Sequence, residues 1–307
     1  MAPRVVSLRN VEVRGTVRTR HLTSSADGST VAAGAFEKFV SIWDTNSWSI
    51  KSRFQATLDW GGRRLCLSGD GSLCFTASYQ DDVLSCYATA DGSLRWQRKG
   101  FGGIQNLFFS SSKGMLYCGV SQGNCVLLDP VHGMTIRSEP GVKRILDCPF
   151  SETRFEDRFH GPLAIGTEKG AQLISRMSFA LLDAVFTSHG LCVSESGSCV
   201  RLIDVASGQV LWRYDPPDGQ HVVELGYDQA SDTLLGVQWP YRHGGAKALL
   251  QFDSGSGESS LIGDLGIQAC TAYVPIRNQI VCGDGTVFSA FTGRVENHDV
   301  FGPGLGE

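Results

Sequence analysis

Nowhere in the 307-residue chain do eighteen apolar residues run together, and its first fifteen, MAPRVVSLRNVEVRG, hold no continuous apolar stretch and no small-residue cleavage site. That pattern argues against a membrane-crossing helix and a secretory leader, so the expectation is a soluble, cytoplasmic protein with no membrane partner. Basic excess is also missing: charged residues make up 19%, the formal net charge is −4, and no run of like charges stands out. Nucleic acid, which asks for a basic stripe, is not an expected partner. No Asn-x-Ser/Thr sequon occurs, and none of the ten cysteines stands in a Cys-x-x-Cys pair, the spacing of zinc and thiol redox sites. The thiols are expected as small buried hydrophobes. The seven histidines show neither His-x-His nor i, i+4 spacing, so no metal is expected. No segment carries the period of an amphipathic helix.

What is abundant is glycine, 37 residues against ten prolines, and it falls in a pattern. The turns SADGS, SGDGS and SSKGM place Gly28, Gly71 and Gly114 at two successive steps of forty-three residues. A further series of turns, SIWDTNSW, SCYATADG, VLLDPVHG, RLIDVASG, LQFDSGSG and FSAFTG, is centred near Asp44, Ala88, Asp129, Asp204, Asp253 and Phe291. Between the turns lie short runs rich in Val, Leu, Ile, Phe and Cys, which read as strands in hairpins. A repeat of this length is the period of a propeller blade. The predicted fold is all-β: a single domain over residues 1–307, a seven-bladed β-propeller of four-stranded antiparallel sheets. The blades are expected near 16–56, 57–99, 100–140, 141–179, 180–219, 220–265 and 266–301, with residues 1–15 as a strand that pairs with the last blade and closes the ring. Closure would remove two open sheet edges. Blade four is expected to be irregular. Its first-turn glycine is taken as Gly161, its outer strand as degenerate, and SETRFEDRFHG as an insertion in its first turn, on the face away from the top loops.

Through period and turns the chain resembles the WD-repeat propeller family over nearly its whole length. Trp43 and Asp44 supply the Trp-Asp pair in blade one, while no blade has the family's Gly-His dipeptide. Two blades are more similar to the quinoprotein-type repeat: Gly92 is followed by Trp96 and Gly208 by Trp212, tryptophans expected to dock blade on blade. No cofactor is implied.

GVSQGNC contains a Gly-x-Ser-x-Gly at Gly119, Ser121 and Gly123, the form of a hydrolase nucleophile elbow. That motif needs a strand before it and a helix after it, and here MLYCGV and NCVLLD both read as strands. Ser121 is therefore assigned to a turn. Cys118 and Cys125, like Cys192 and Cys199, flank equivalent loops at a spacing that can make them cross-strand neighbours. The reduced form is expected in a reducing compartment.

In this architecture the loops between second and third strands share the top rim with the linkers between blades. The richest such loop is QWPYRHGG in blade six, with Trp239, Tyr241, Arg242 and His243, residue types that carry interface energy. Blade one adds Glu37 and Lys38, blade two Tyr79, Asp81 and Asp82, and blade four Lys169. The linkers add Trp60, Phe101, Arg98, Asp215, Asp218 and His221. The leading expectation is a non-catalytic propeller, an adaptor, complex subunit or inhibitor, that binds another protein through this rim. The alternative is an enzyme or small-molecule binder at the channel mouth, with Tyr79, Asp82, His221 and His243 as its acid–base set.

Overall fold

The computed structural model describes residues 19–35, 39–56, 58, 64–158, 163–167, 170–175, 181–196, 199–240, 245–266, 270–298 and 300–301. Their strands fall into seven four-stranded antiparallel sheets, each formed by four consecutive strands. Blade one contains β1 (Thr19–Ser24), β2 (Thr30–Ala35), β3 (Phe39–Asp44) and β4 (Ile50–Gln55). Blade two follows with β5 (Leu65–Leu67), β6 (Leu73–Ser78), β7 (Val83–Ala88) and β8 (Leu94–Lys99). Blade three has β9 (Ile104–Ser110), β10 (Met115–Val120), β11 (Asn124–Leu128) and β12 (Thr135–Pro140). Blade four has β13 (Val142–Asp147), β14 (Arg154–Arg158), β15 (Leu163–Thr167) and β16 (Gly170–Ser175). Blade five has β17 (Leu181–Thr187), β18 (Gly190–Glu195), β19 (Val200–Ile203) and β20 (Val210–Tyr214). Blade six has β21 (Gln220–Asp228), β22 (Thr233–Pro240), β23 (Lys247–Asp253) and β24 (Ser259–Gly266). Blade seven has β25 (Thr271–Val274), β26 (Gln279–Cys282), β27 (Val287–Ser289) and β28 (Val295–Asn297). The protein is a seven-bladed β-propeller.

The residue patterns follow from where each strand sits. Middle strands are covered on both faces by the neighbouring blades, so β7 (VLSCYA) and β18 (GLCVSE) are buried at every position. Outer strands show the period of two: in β4 Ser52 and Phe54 face inward while Lys51, Arg53 and Gln55 are exposed. The core is divided rather than single. Among the described residues each apolar cluster is a seam between adjacent blades, as where Phe75 and Leu84 of blade two meet Leu107 and Leu116 of blade three.

Glycine marks the turns because the turns pack. Gly71 adopts φ +67° between β5 and β6, and a Cβ there would lie 2.5 Å from Thr30 Oγ1 of the preceding blade. Trp96 on β8 donates its indole N–H to Pro130 O of blade three at 2.8 Å, and Trp212 on β20 donates to Ser254 O of blade six at 3.0 Å. Each ring also covers the turn glycine of that next blade, Gly133 or Gly257. The tryptophans read as blade-docking residues therefore dock blades.

Two expectations change in blade four. Its first turn is Cys148–Thr153, closed by the Cys148 N–H to Thr153 O at 2.8 Å, and it contains no glycine, so it lacks the mark that the first turns of blades one to three carry. Arg154–Arg158, taken as part of an insertion, is the second strand, and Gly170–Ser175 completes the sheet as the outer strand. Gly161 and Lys169 lie outside the described residues, as does the proposed closing strand at 1–15. All four strands of the last sheet come from the C-terminal part of the chain. Its seam with blade one joins Val31, Ala33 and Trp43 to Val274, Val281, Val287 and Phe301, with the Trp43 and Phe301 ring centroids 4.4 Å apart.

Candidate functional site

Because strands alternate in direction, turns joining first to second and third to fourth strands share one rim, and the remaining loops share the other. On the second, top rim the β6–β7 loop, the linker Gly100–Gly103 and the β10–β11 loop converge. Asp82, in a left-handed conformation at φ +50°, organises them. Its Oδ2 accepts the Gly100 and Gly102 N–H groups at 3.0 and 3.1 Å, and its Oδ1 those of Phe101 and Gly103 at 3.2 and 3.0 Å. Successive amides can turn toward one carboxylate only where the backbone takes positive φ, here +92°, +78° and +91° at the three glycines. Burial pushes the Asp82 carboxyl up, and the amide bonds more than offset this, leaving it below the usual carboxylate range.

The neighbouring loop is tied to the same linker. Ser121 donates its N–H to Gly103 O at 2.8 Å and its hydroxyl to Gly102 O. Its loop joins β10 to β11 with no helix, so this geometry holds Ser121 as a strut between loops. The Tyr79 ring lies against Gly103, where a Cβ would come within 2.7 Å of Cε2, and the Arg64 guanidinium stands 5.8 Å from its centroid. Tyr79 is 45% exposed. Phe101 is half-buried beneath Arg98, 5.6 Å from guanidinium to ring. Asp81 is exposed beside them, with its N–H on Ser78 Oγ at 2.9 Å.

Blade six differs from the expectation. His221, placed by sequence in a linker, is buried within β21, and Trp239, placed in a loop, belongs to β22 directly opposite it. The hairpin is longer than in other blades, with a bulge between Val222 and Glu224 where the register shifts by one residue. Trp239 is half-buried under the ammonium of the buried Lys247, 5.3 Å from its ring centroid. Tyr241, Arg242 and His243 lie outside the described residues, as do Trp60, Glu37 and Lys38. Of the acid–base alternative, Tyr79 and Asp82 share one loop of blade two while His221 is buried in blade six.

Sequence reasoning missed the channel lining. At equivalent positions on the inner strands, or immediately before them for Arg64 and Cys270, stand His21, Arg64, Asn106, Arg144, Asp183, Glu224 and Cys270, aligned by their second-strand partners. Several reach across a blade boundary. Arg144 pairs with Asp183 at 2.7 Å, Asp183 accepts the Leu225 N–H at 3.0 Å, Thr271 donates to Glu224, and Arg64 donates to Ile104 O. A cavity of about 560 Å³ lies along this girdle, lined by inner strands of blades one, two, five, six and seven. The inner strands carry other polar residues as well, as in TRHLTS and VKRILD, so only the alignment of the second strands singles this position out. Among the described residues no group of three or more His, Cys, Asp and Glu side chains is arranged to hold a metal ion.

No protein-family model matches the chain, and no curated protein matches it either. Solved structures share its fold at low identity. The β-propeller domain of Cps50 (Swd1) from Myceliophteria thermophila aligns with TM-score 0.66 and 12% identity, covering 91% of this chain and 96% of that one. A chain of the mitotic checkpoint complex aligns with TM-score 0.68 and 14% identity, covering 92% of this chain and 93% of that one.

Proposed function

We propose that this protein is a divergent WD-type propeller that acts as a cytoplasmic, non-catalytic binding module, holding another protein on its top rim at blades two and three. The observation that carries the reading is the Asp82 clamp. It fixes the Gly100–Gly103 linker by four amide bonds and thereby presents Tyr79 and Phe101, with Arg98 and Asp81 beside them, on a stiff base. Aromatic side chains held at least partly exposed on a rigid support lose little entropy on binding and are favoured anchors at protein interfaces. Trp239, half-buried at the end of β22, supplies a second contact on blade six. Similarity in fold to a chain of a multi-protein complex agrees with such a role without identifying the partner.

The reading is tested by affinity capture with the native chain, the Tyr79→Ala/Phe101→Ala double variant and the Trp239→Ala variant, each checked for an unchanged melting temperature. The expected result is a protein recovered stoichiometrically with the native chain and lost with the double variant. Recovery of identical partners by the native chain and the double variant would move the interface elsewhere.

A further inference from the structure

The opposite rim carries a feature that the top-rim reading leaves unused. We propose that the groove between blades four and five on this rim is a second docking site, for a short segment of a partner protein carrying one large apolar side chain flanked by lysine or arginine. The groove has a volume of about 580 Å³ and runs between the first turn of blade four and two turns of blade five. Ile165 and Phe186 form its floor, and Phe150 and Val205 line its sides.

Phe150 is the residue without a structural motive. It stands in a first turn, where blades one to three have SADGS, SGDGS and SSKGM, and it remains 39% exposed, its one ring contact among the described residues an edge contact to Tyr227 at 6.1 Å. An aromatic side chain at an exposed turn beside an apolar trough widens the apolar surface that an incoming side chain can cover. A groove of this size accommodates one large side chain and the backbone on either side of it.

Charge selects the occupant. No lysine or arginine lines the groove. Asp204 forms part of its wall, and its Oδ1 accepts both the N–H and the hydroxyl of Ser207 at 2.6 Å, which holds the carboxyl below the usual range and ionised at neutral pH. Glu152, exposed in the blade-four turn between the lining residues Ser151 and Thr153, adds a second carboxylate beside the groove, and among the described residues no cation pairs with either. Beyond His189 sits a third. Asp232 accepts Tyr227 Oη, Ser188 Oγ, Ser254 Oγ and His189 Nε2 at 2.6, 2.7, 2.8 and 2.9 Å, so this carboxylate is fixed and the lining histidine is already engaged. An apolar trough with an anionic mouth favours a cationic segment and repels an anionic one. The chain's own net charge of −4 disfavours a second copy in the same place.

The test uses the full chain with isoleucine and valine methyl labels and three synthetic pentapeptides: Arg-Lys-Phe-Lys-Arg, the same with alanine at its centre, and Glu-Glu-Phe-Glu-Glu. The first is expected to shift the Ile165 and Val205 methyls saturably below about 1 mM, with the other two at least about tenfold weaker. Asp204→Asn keeps an acceptor for the turn, and combined with Glu152→Gln it is expected to weaken the first peptide about tenfold. Val205→Arg should abolish the shifts while leaving top-rim capture intact. The proposal is overturned if no methyl in the groove moves, if the alanine or glutamate peptide binds equally well, or if the neutralised variant binds as before. A concentration-dependent dimer that Val205→Arg dissolves would overturn it too, by placing a second copy of the chain in the groove.

Discussion

Arg144 reaches from the inner strand of blade four to Asp183 on that of blade five, 2.7 Å from nitrogen to oxygen, with side chains only 7% and 3% exposed. The second oxygen of Asp183 holds the Leu225 N–H of blade six, so this carboxylate spans three blades. The Arg144 guanidinium also lies 4.4 Å from the Phe108 ring centroid of blade three. Removing one partner strands a buried charge, which costs about 3–5 kcal/mol, whereas replacing both with apolar groups costs far less. Asp183→Ala is therefore expected to lower stability by about that amount, and Arg144→Met/Asp183→Leu by under about 2 kcal/mol. Urea unfolding of the two variants checks this. Equal losses would mean that the pair contributes only packing.

The Asp82 clamp makes a prediction about pH. Its folded-state carboxyl lies below the usual range, since the amide bonds from Gly103, Gly102, Gly100 and Phe101 more than offset burial. A group depressed by folding contributes stability that is fully present above its unfolded pKa, about 3.9, and is lost as pH falls through the lower folded value. Asp82→Asn keeps a similar shape but removes the charge and half of the acceptor capacity. It is expected to cost about 1–3 kcal/mol at pH 7. The gap between native chain and variant should then narrow progressively below about pH 4. Denaturation midpoints at pH 7, 5 and 3 decide it: a gap independent of pH would assign the loss to geometry rather than charge. Amide exchange at residues 100–103 should rise in the variant at neutral pH.

The blade count was legible because the repeat is written in its turns. Asp129, Asp204 and Asp253 each precede a glycine by four residues, and in each case the glycine N–H closes on the aspartate carbonyl, as from Gly257 to Asp253 at 2.9 Å. Trp96 and Trp212 were equally readable, because an aromatic on an outer strand has little to cover except the next blade. Blade four was misread for the complementary reason. Its first turn is built from Pro149, Phe150 and Ser151 without glycine, so the strand after it passed for an insertion. His221 and Trp239 were assigned to loops because sequence pattern does not measure hairpin length. Only their pairing across β21 and β22 places them on strands. The Asp82 clamp depends on linker amides eighteen to twenty-one residues away, a distance at which no local motif speaks.

All ten cysteines are free and buried, and their spacing suggested pairs that the sheet keeps apart. Cys118 stands opposite Val126 and Cys125 opposite Gly119, so the two thiols point to opposite faces of blade three. Cys118 packs in the seam with blade two and Cys125 in the seam with blade four. Burial pushes the Cys86 and Cys125 thiols up to about 12, and raises those of Cys118 and Cys192 as well, which removes the thiolate that alkylation and disulfide exchange require. The native protein is expected to react with a thiol reagent at least about a thousandfold more slowly than in urea, because reaction must wait for a blade seam to open. Counting reacted thiols by mass spectrometry should give all ten in urea and none at early times in buffer. Treatment of the folded chain with diamide should leave Cys118 and Cys125 unlinked. Rapid oxidation of that pair in buffer would show that the strands of blade three slip past each other in the native state, since only a change of register brings the two thiols to the same face.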